Sequence, residues 1–529
     1  MPTFVILIFR KLMKTNLNRD FFQSLKWLLL FALIALFHWQ CLAPKRPGIP
    51  TDVQQVLDNA GLNKPELMKA VARYVEDKDS LRLQALYCLL AQMDKNYTVF
   101  YSVQDSLGNH YFFNPRKYSS YLALKHAWDS TEQIRGNLVY HADSFRVDAQ
   151  TLSGNFLIEN LDEAFRIRQA FPWSGTYDFK TFCRWILPYR VANEPVENFR
   201  RHFLEEYGPL PRRFYDSAVS PMDVALYLNQ RINQIADYKD TYNKSLNIQT
   251  INKLEKSHYG NFYDINVYKV KVLRAFGIAA ALDYTPFLAD TNFGYAYTTA
   301  ILPDHNELVL EYPHGVKNLH RSGRIAKLYR RTFFRDSASL FAVKNIHRST
   351  PVFLGDFYYD DITNITGSAP VWIRLNDTAR YAYLSVFNDG GWRPVSWAAP
   401  RKDSTALFRK TGKGIVYLPV GFQKHNLIRL GTPFLLDHKG IKHYLRADFS
   451  AQQRVRLYRT NRWEKMIPGK TYTLYFWNGN WEILSVFKAG KNGNSLLLPA
   501  KGLFFLTNGD IDFNERIFII NSQGKQVFY

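Results

Sequence analysis

Apolar positions along the chain recur first at helical and later at strand spacing. Leu67, Val71, Tyr74 and Val75 share one face of a helix that Asn63 can cap and Pro65 can open. Leu86, Leu89, Leu90 and Met93 share a face of a second helix, with Ser80 as its expected cap, and helical spacing continues over 155–240. Between 253 and 312 the period changes. A helix around 264–276 should stop at Gly277, and apolar, β-rich stretches follow at 278–284, 295–302 and 307–312. Beyond about 350 the pattern is strand upon strand, with an internal echo. Tyr383-Leu-Ser-Val-Phe-Asn-Asp-Gly-Gly-Trp392 and Thr473-Leu-Tyr-Phe-Trp-Asn-Gly-Asn-Trp481 each give an apolar run, an Asn/Gly turn and a Trp opening the return strand. The expected fold class is α+β: a helical N-terminal region over 51–150, a helix-then-strand core over 151–350, and two antiparallel, sandwich-like β modules over 351–445 and 446–529.

The N-terminal pattern predicts targeting rather than fold. Lys14, Arg19 and Lys26 precede an apolar run at 27–37, too short to span ~30 Å of hydrocarbon comfortably, and Pro-rich sequence follows. Residues 1–41 are therefore read as a signal peptide or membrane anchor, and the rest as exported, periplasmic or membrane-anchored. Cys41 directly after the run is a candidate for lipidation, although His38-Trp39-Gln40 is bulky where a lipobox takes small residues. Ordinary cleavage and an uncleaved anchor remain open alternatives, and Met13 offers an alternative start.

Composition narrows the classes. The 529 residues imply three or four structural units, and aromatic residues at 16% favour sheets and partner-facing surfaces. A net charge of +22 bears on association with anionic polymers and not on fold. Three cysteines, Cys41, Cys88 and Cys183, cannot build a disulfide framework or a Cys-rich metal site. Cys88 is expected to be a buried structural thiol.

One helix followed by three strands is the plan of a papain-like core, and five motifs in one order carry a resemblance. They are Phe156-Leu-Ile-Glu-Asn-Leu-Asp-Glu-Ala-Phe165, Phe182-Cys-Arg-Trp-Ile-Leu-Pro-Tyr-Arg190 with Glu194-Pro195, Leu273-Arg-Ala-Phe-Gly-Ile-Ala-Ala280, Ala326-Lys-Leu-Tyr-Arg330 and Glu515-Arg-Ile-Phe518. From about 155 onward the chain resembles the large transglutaminase-like proteins of Bacteroidetes. The resemblance implies a papain-like core with a Cys at the N-terminus of the helix that ends in Arg-Ala-x-Gly-Ile, a His on the following strand and an acid on the next. Such chemistry needs a thiolate nucleophile, a neighbouring base and an acid that orients the base. On the family's pattern Gly260-Asn-Phe-Tyr-Asp264 puts Phe262 at the Cys position, and Gly294-Tyr-Ala-Tyr297 puts Tyr295 at the His position. Tyr297 takes the adjoining Trp position and Glu311 the acid position. No catalytic residue is therefore assigned. Phe262, Asp264, Tyr295, Tyr297 and Glu311 mark a degenerate site that could bind a ligand, with core filling by the rings as the alternative.

The remaining candidates point the same way. His258, His305, His314 and His320 are expected to be loop histidines, and neither a metal nor a cofactor is expected. Basic and aromatic residues interleave over 321–335. A solvated face, or contact with anionic glycans or phospholipid headgroups, is expected there, and nucleic acid is not the expected partner. These readings converge on an exported binding scaffold whose partner is a peptide or polysaccharide of the cell envelope, held to the membrane by its N-terminal segment. The rival expectation is a cysteine-type amidase or peptidase, or a glycan-active enzyme, using a nucleophile outside the family pattern.

Overall fold

The computed structural model describes residues 48–216, 219–310, 324–336, 339–344, 358–377, 379–423, 426–509 and 515–529. The expected signal or anchor segment 1–41, Cys41, Glu311, His314 and His320 lie outside them. Residues 55–529 form one unit, separate from 1–54.

Helix α1 (Thr51–Asn59) is followed by α2 (Lys64–Glu76), which buries Leu67, Ala70, Val71 and Tyr74 and leaves Val75 exposed. Asn63 does not cap α2. Its side-chain amide donates instead to the carbonyls of Ala149 (3.0 Å) and Leu152 (2.9 Å). Helix α3 (Ser80–Leu90) is capped by Asp79 and not by Ser80, because Asp79 has the non-helical backbone of a cap and accepts from the Arg82 amide at 2.9 Å.

The expectation of helix up to 150 fails. Strands β1 (Tyr97–Gln104), β2 (His110–Tyr111) and β3 (Val139–Val147) form an antiparallel sheet in the order β2-β1-β3, with α4 (Tyr121–Arg135) between β2 and β3. The run Tyr97-Thr-Val-Phe-Tyr-Ser-Val is β-branched and aromatic, side chains that fit a pleated surface better than a helix.

Three helices, α5 (Gly154–Ala170), α6 (Phe199–Tyr207) and α7 (Pro221–Ile232), then surround α8 (Phe262–Ala275). A Schellman turn stops α8: Ile278 N–H donates to the Leu273 carbonyl, Gly277 N–H to the Arg274 carbonyl, and Gly277 has φ +70°. Packed on α8 is an antiparallel sheet of β4 (Ala280–Thr285), β5 (Tyr295–Ile301), β6 (Glu307–Leu310), β7 (Tyr329–Arg331) and β8 (Tyr359–Asp361), in the order β8-β7-β4-β5-β6.

The charged residues of the sequence motifs are buried inside this core. Arg190 bonds Asp148 through Nη2 (2.5 Å) and Nε (2.8 Å), and the Glu194 carboxylate accepts from the amides of Val191 and Ala192. Arg274 donates to the carbonyls of Pro188, Arg190 and Ala280, which seats the end of α8 against the 188–190 segment. The expected solvated basic face at 321–335 is contradicted at its centre: Lys327, Arg330 and Arg331 are buried. Arg330 bridges Asp283 on β4 (2.7 Å) and Glu307 on β6 (2.5 Å), Lys327 pairs with Asp361, and Arg335 pairs with Asp94. These guanidinium and ammonium groups are tolerated in the interior because carboxylates neutralise them there.

Beyond β8 the same arrangement of strands occurs twice. In the first, Ser368–Arg374 pairs with Thr405–Gly412, while Gly391–Ala398, Ala382–Asn388, Ile415–Gln423, Phe434–Leu436 and Lys442–Tyr444 follow one another across a second sheet. In the second, Asp448–Leu457 pairs with Asn494–Ala500, while Trp481–Lys488, Thr471–Trp477, Phe504–Thr507, Phe518–Ile520 and Gln526–Phe528 do the same. Only the additional strand Asn426–Arg429, paired with Ile415–Gln423, distinguishes the two pairing schemes among the described residues. The chain is therefore α+β with a β-rich C-terminal region. The two echo hairpins are present, and their tryptophans meet each other: Trp392 lies 5.7 Å from Trp477, and Trp477 5.0 Å from Trp481.

Candidate functional site

The site that the resemblance implies lies where α8 begins. Asn261 caps the helix, and a reciprocal pair of bonds closes a capping box. The Asp264 amide donates to Asn261 Oδ1 (3.0 Å), and the Asn261 amide donates to Asp264 Oδ2 (3.1 Å). The Asp264 carboxylate also accepts from the Gln249 amide at 2.8 Å and its side chain at 3.2 Å. Burial nevertheless pushes the Asp264 carboxyl up to about 6, because desolvation outweighs those bonds. Asp264 is thus a structural carboxyl that fixes the helix start.

Phe262 is the first residue of α8. Its ring stacks on Tyr238 at 4.1 Å and meets the Tyr295 ring edge-on at 4.6 Å, and Tyr295 lies 6.1 Å from Tyr297. The structure therefore brings Phe262, Tyr295 and Tyr297 together at the end of the helix and the start of β5. Tyr295 and Tyr297 are only 4% and 3% exposed and share a cluster with Leu288, Ile325 and Leu328, with Phe262 packed against it. Beneath the rings, Asn266 donates to the carbonyls of Phe262 (2.8 Å) and Ala296 (3.0 Å) and accepts from Thr298 Oγ1 (2.9 Å). A phenyl ring offers neither a nucleophile nor a base, and burial raises the Tyr297 phenol well above its ordinary range. What stands between α8 and β5 is a packed aromatic seam.

Other reactive groups serve packing as well. Cys183 lies in a π-helical turn (Phe182–Ile186), and a hydrogen bond with Cys88, then burial, holds its thiol far from the thiolate form. Cys88 itself is half-buried rather than buried. Lys269 on α8, pushed down to about 7 by burial, donates to Asn229 Oδ1 at 2.8 Å. His258 has a left-handed backbone at the end of the helix Ile251–Ser257, and its Nδ1–H donates to the Ile235 carbonyl. No group of three His, Cys, Asp or Glu residues suited to a metal occurs among the described residues.

Sequence reasoning missed a second concavity altogether. It opens beside β1–β3 and the turn Asp240–Lys244, and the aromatic run at 97–101 was the signal that could have led to it.

No family model matches the chain, and no curated protein matches it in sequence. Among solved structures, the crystal structure of a "putative protease from Parabacteroides distasonis" aligns at 8% identity and a TM-score of 0.18, over 48% of this chain and 51% of that one. The alignment thus spans about half of that protein, and a likeness so slight carries no argument about either fold or activity.

Proposed function

We propose that this chain is an exported, catalytically degenerate transglutaminase-like protein that works as a binding scaffold at the cell envelope. The observation that carries the reading is the seam between α8 and β5. The positions assigned to nucleophile and base hold Phe262 and Tyr295, whose rings sit 4.6 Å apart and fill the space a substrate carbonyl would need. Rings locked in this way leave the motif residues a structural task, which Arg190, Glu194 and Arg274 perform by tying the helices to one another.

The test is enzymatic. Full-length protein, incubated with glutamine-containing peptides and an amine acceptor, should show no turnover that iodoacetamide abolishes. Iodoacetamide-sensitive transamidation or peptide hydrolysis overturns the reading.

A further inference from the structure

A cavity of about 310 Å³ opens between the β1–β3 sheet, α4 and the segment 241–247, at the lower end of the size range of small-ligand sites. Tyr101, Tyr111, Phe113 and Tyr140 line it. Trp128, 6% exposed, lies 5.1 Å from the Phe113 ring and 5.5 Å from the Tyr140 ring. These walls are held in place. The Asn247 side chain accepts from the Tyr101 amide (2.8 Å) and donates to its carbonyl (2.7 Å), while the Tyr140 hydroxyl donates to the Lys244 carbonyl (2.5 Å). Phe112 lies on the lining with 87% of its surface exposed, a ring offered to solvent.

The cavity holds one lysine and no carboxylate. Lys244 Nζ sits 4.3 Å above the Trp128 ring, and no described carboxylate forms an ion pair with it. The acids nearest in sequence to the lining strands are occupied elsewhere. Asp105 accepts from Leu107, Asn109 and Tyr111, and Asp143 from Ser102 and Gln104. Burial lowers the Lys244 pKa, the mark of an ammonium short of a close counter-ion.

We propose that this trough binds a carboxylated sugar ring of an acidic polysaccharide, with the C–H face of the ring on the aromatic walls and its carboxylate on Lys244 Nζ. Aromatic side chains supply large, rigid apolar area to such a face, and the preset rings cut the ordering cost of binding. A charge-assisted bond to the ammonium then selects acid over neutral sugar. An acidic peptide fits less well, because an extended peptide needs a strand edge for its backbone and β2, beside the cavity, is only two residues long. The inference rests on the reading of the chain as a binding scaffold and places the ligand away from the Phe262 seam.

The experiment titrates full-length protein with polygalacturonate oligosaccharide, a neutral galactose oligosaccharide of equal length and a polyglutamate peptide, by calorimetry at low salt. Expected is saturable binding of polygalacturonate over both others, weakened roughly tenfold by Lys244→Met with an unchanged melting temperature. Phe112→Ala, at a solvent-exposed ring, should also weaken binding without loss of fold. Failure to bind polygalacturonate, equal binding of the neutral sugar, preference for polyglutamate, or binding untouched by both variants overturns the site. Binding that survives both variants leaves the scaffold reading standing, whereas thiol-dependent turnover overturns that reading and not the site.

Discussion

Tyr295 shows how one side chain decides between a groove and a core. Its ring is buried against Phe262 and the Leu288–Ile325–Leu328 cluster, so Tyr295→Ala should cost about 3 kcal/mol or more in stability, read as a lowered urea midpoint at constant m-value. An unchanged midpoint would mean that the ring faces a ligand instead. Asp264 gives a pH signature. Its folded carboxyl titrates at about 6 against an ordinary 3.8, so between pH 4 and 6 the native state binds more protons than the unfolded chain, and stability falls as pH rises through that window. The loss attributable to Asp264 is about 3 kcal/mol, and it persists above pH 6. Asp264→Asn should flatten this part of the profile, as seen in urea midpoints measured from pH 4 to 7. Both residues were singled out by motif position, yet their surroundings, a packed seam and a capping box, follow from neighbours that the motif does not contain.

Among elements, α8 was the most legible. Its apolar spacing, the cap at its start and Gly277 at its end are local features, and the helix runs from Phe262 to Ala275. Gly277 is constrained twice: φ is +70°, and an added Cβ would lie 2.4 Å from Ser174 Oγ and 2.6 Å from Ser174 Cβ. Gly277→Ala should therefore destabilise by about 2–4 kcal/mol, the sum of a left-handed backbone penalty and overpacking, measurable by thermal or urea unfolding. The three strands after Gly277 also emerge from the pattern. The β1–β3 sheet was hidden because a helix, α4, interrupts it, and pairing of β1 with β3 joins residues such as Val99 and Phe145 across that interruption.

At the scale of the molecule, buried arginines hold distant segments together. Arg516 donates to the carbonyls of Phe387 (2.6 Å), Thr291 (3.3 Å) and Tyr529 (3.1 Å), which links the C-terminal strands to the first β module and to the loop before β5. Arg516→Met leaves several buried acceptors unsatisfied and should cost about 3 kcal/mol or more. Amide exchange should then accelerate over 504–529 while that of α2 and α3 stays unchanged. Arg516→Lys should not rescue it, because an ammonium cannot reproduce the planar fork. Uniform destabilisation of all elements would contradict this account. The Trp392, Trp477 and Trp481 contacts join the two repeats in a similar way, through rings that the sequence placed only on separate hairpins.

The sequence by itself determined what depends on neighbours a few residues apart: the helical and strand periods, the Gly277 stop, the two Asn/Gly hairpins, and the absence of a Cys and a His at 262 and 295. Tertiary structure decided whatever depends on residues far apart in the chain. Arg330 reads as a surface charge until Asp283, 47 residues away, is seen beside it in the interior. The duplicated β topology rests on strand pairing rather than on identity, so only its hairpin turns surfaced as an echo. The trough at Lys244 exists because Asn247 clasps Tyr101, a bond between residues 146 apart that no local pattern encodes.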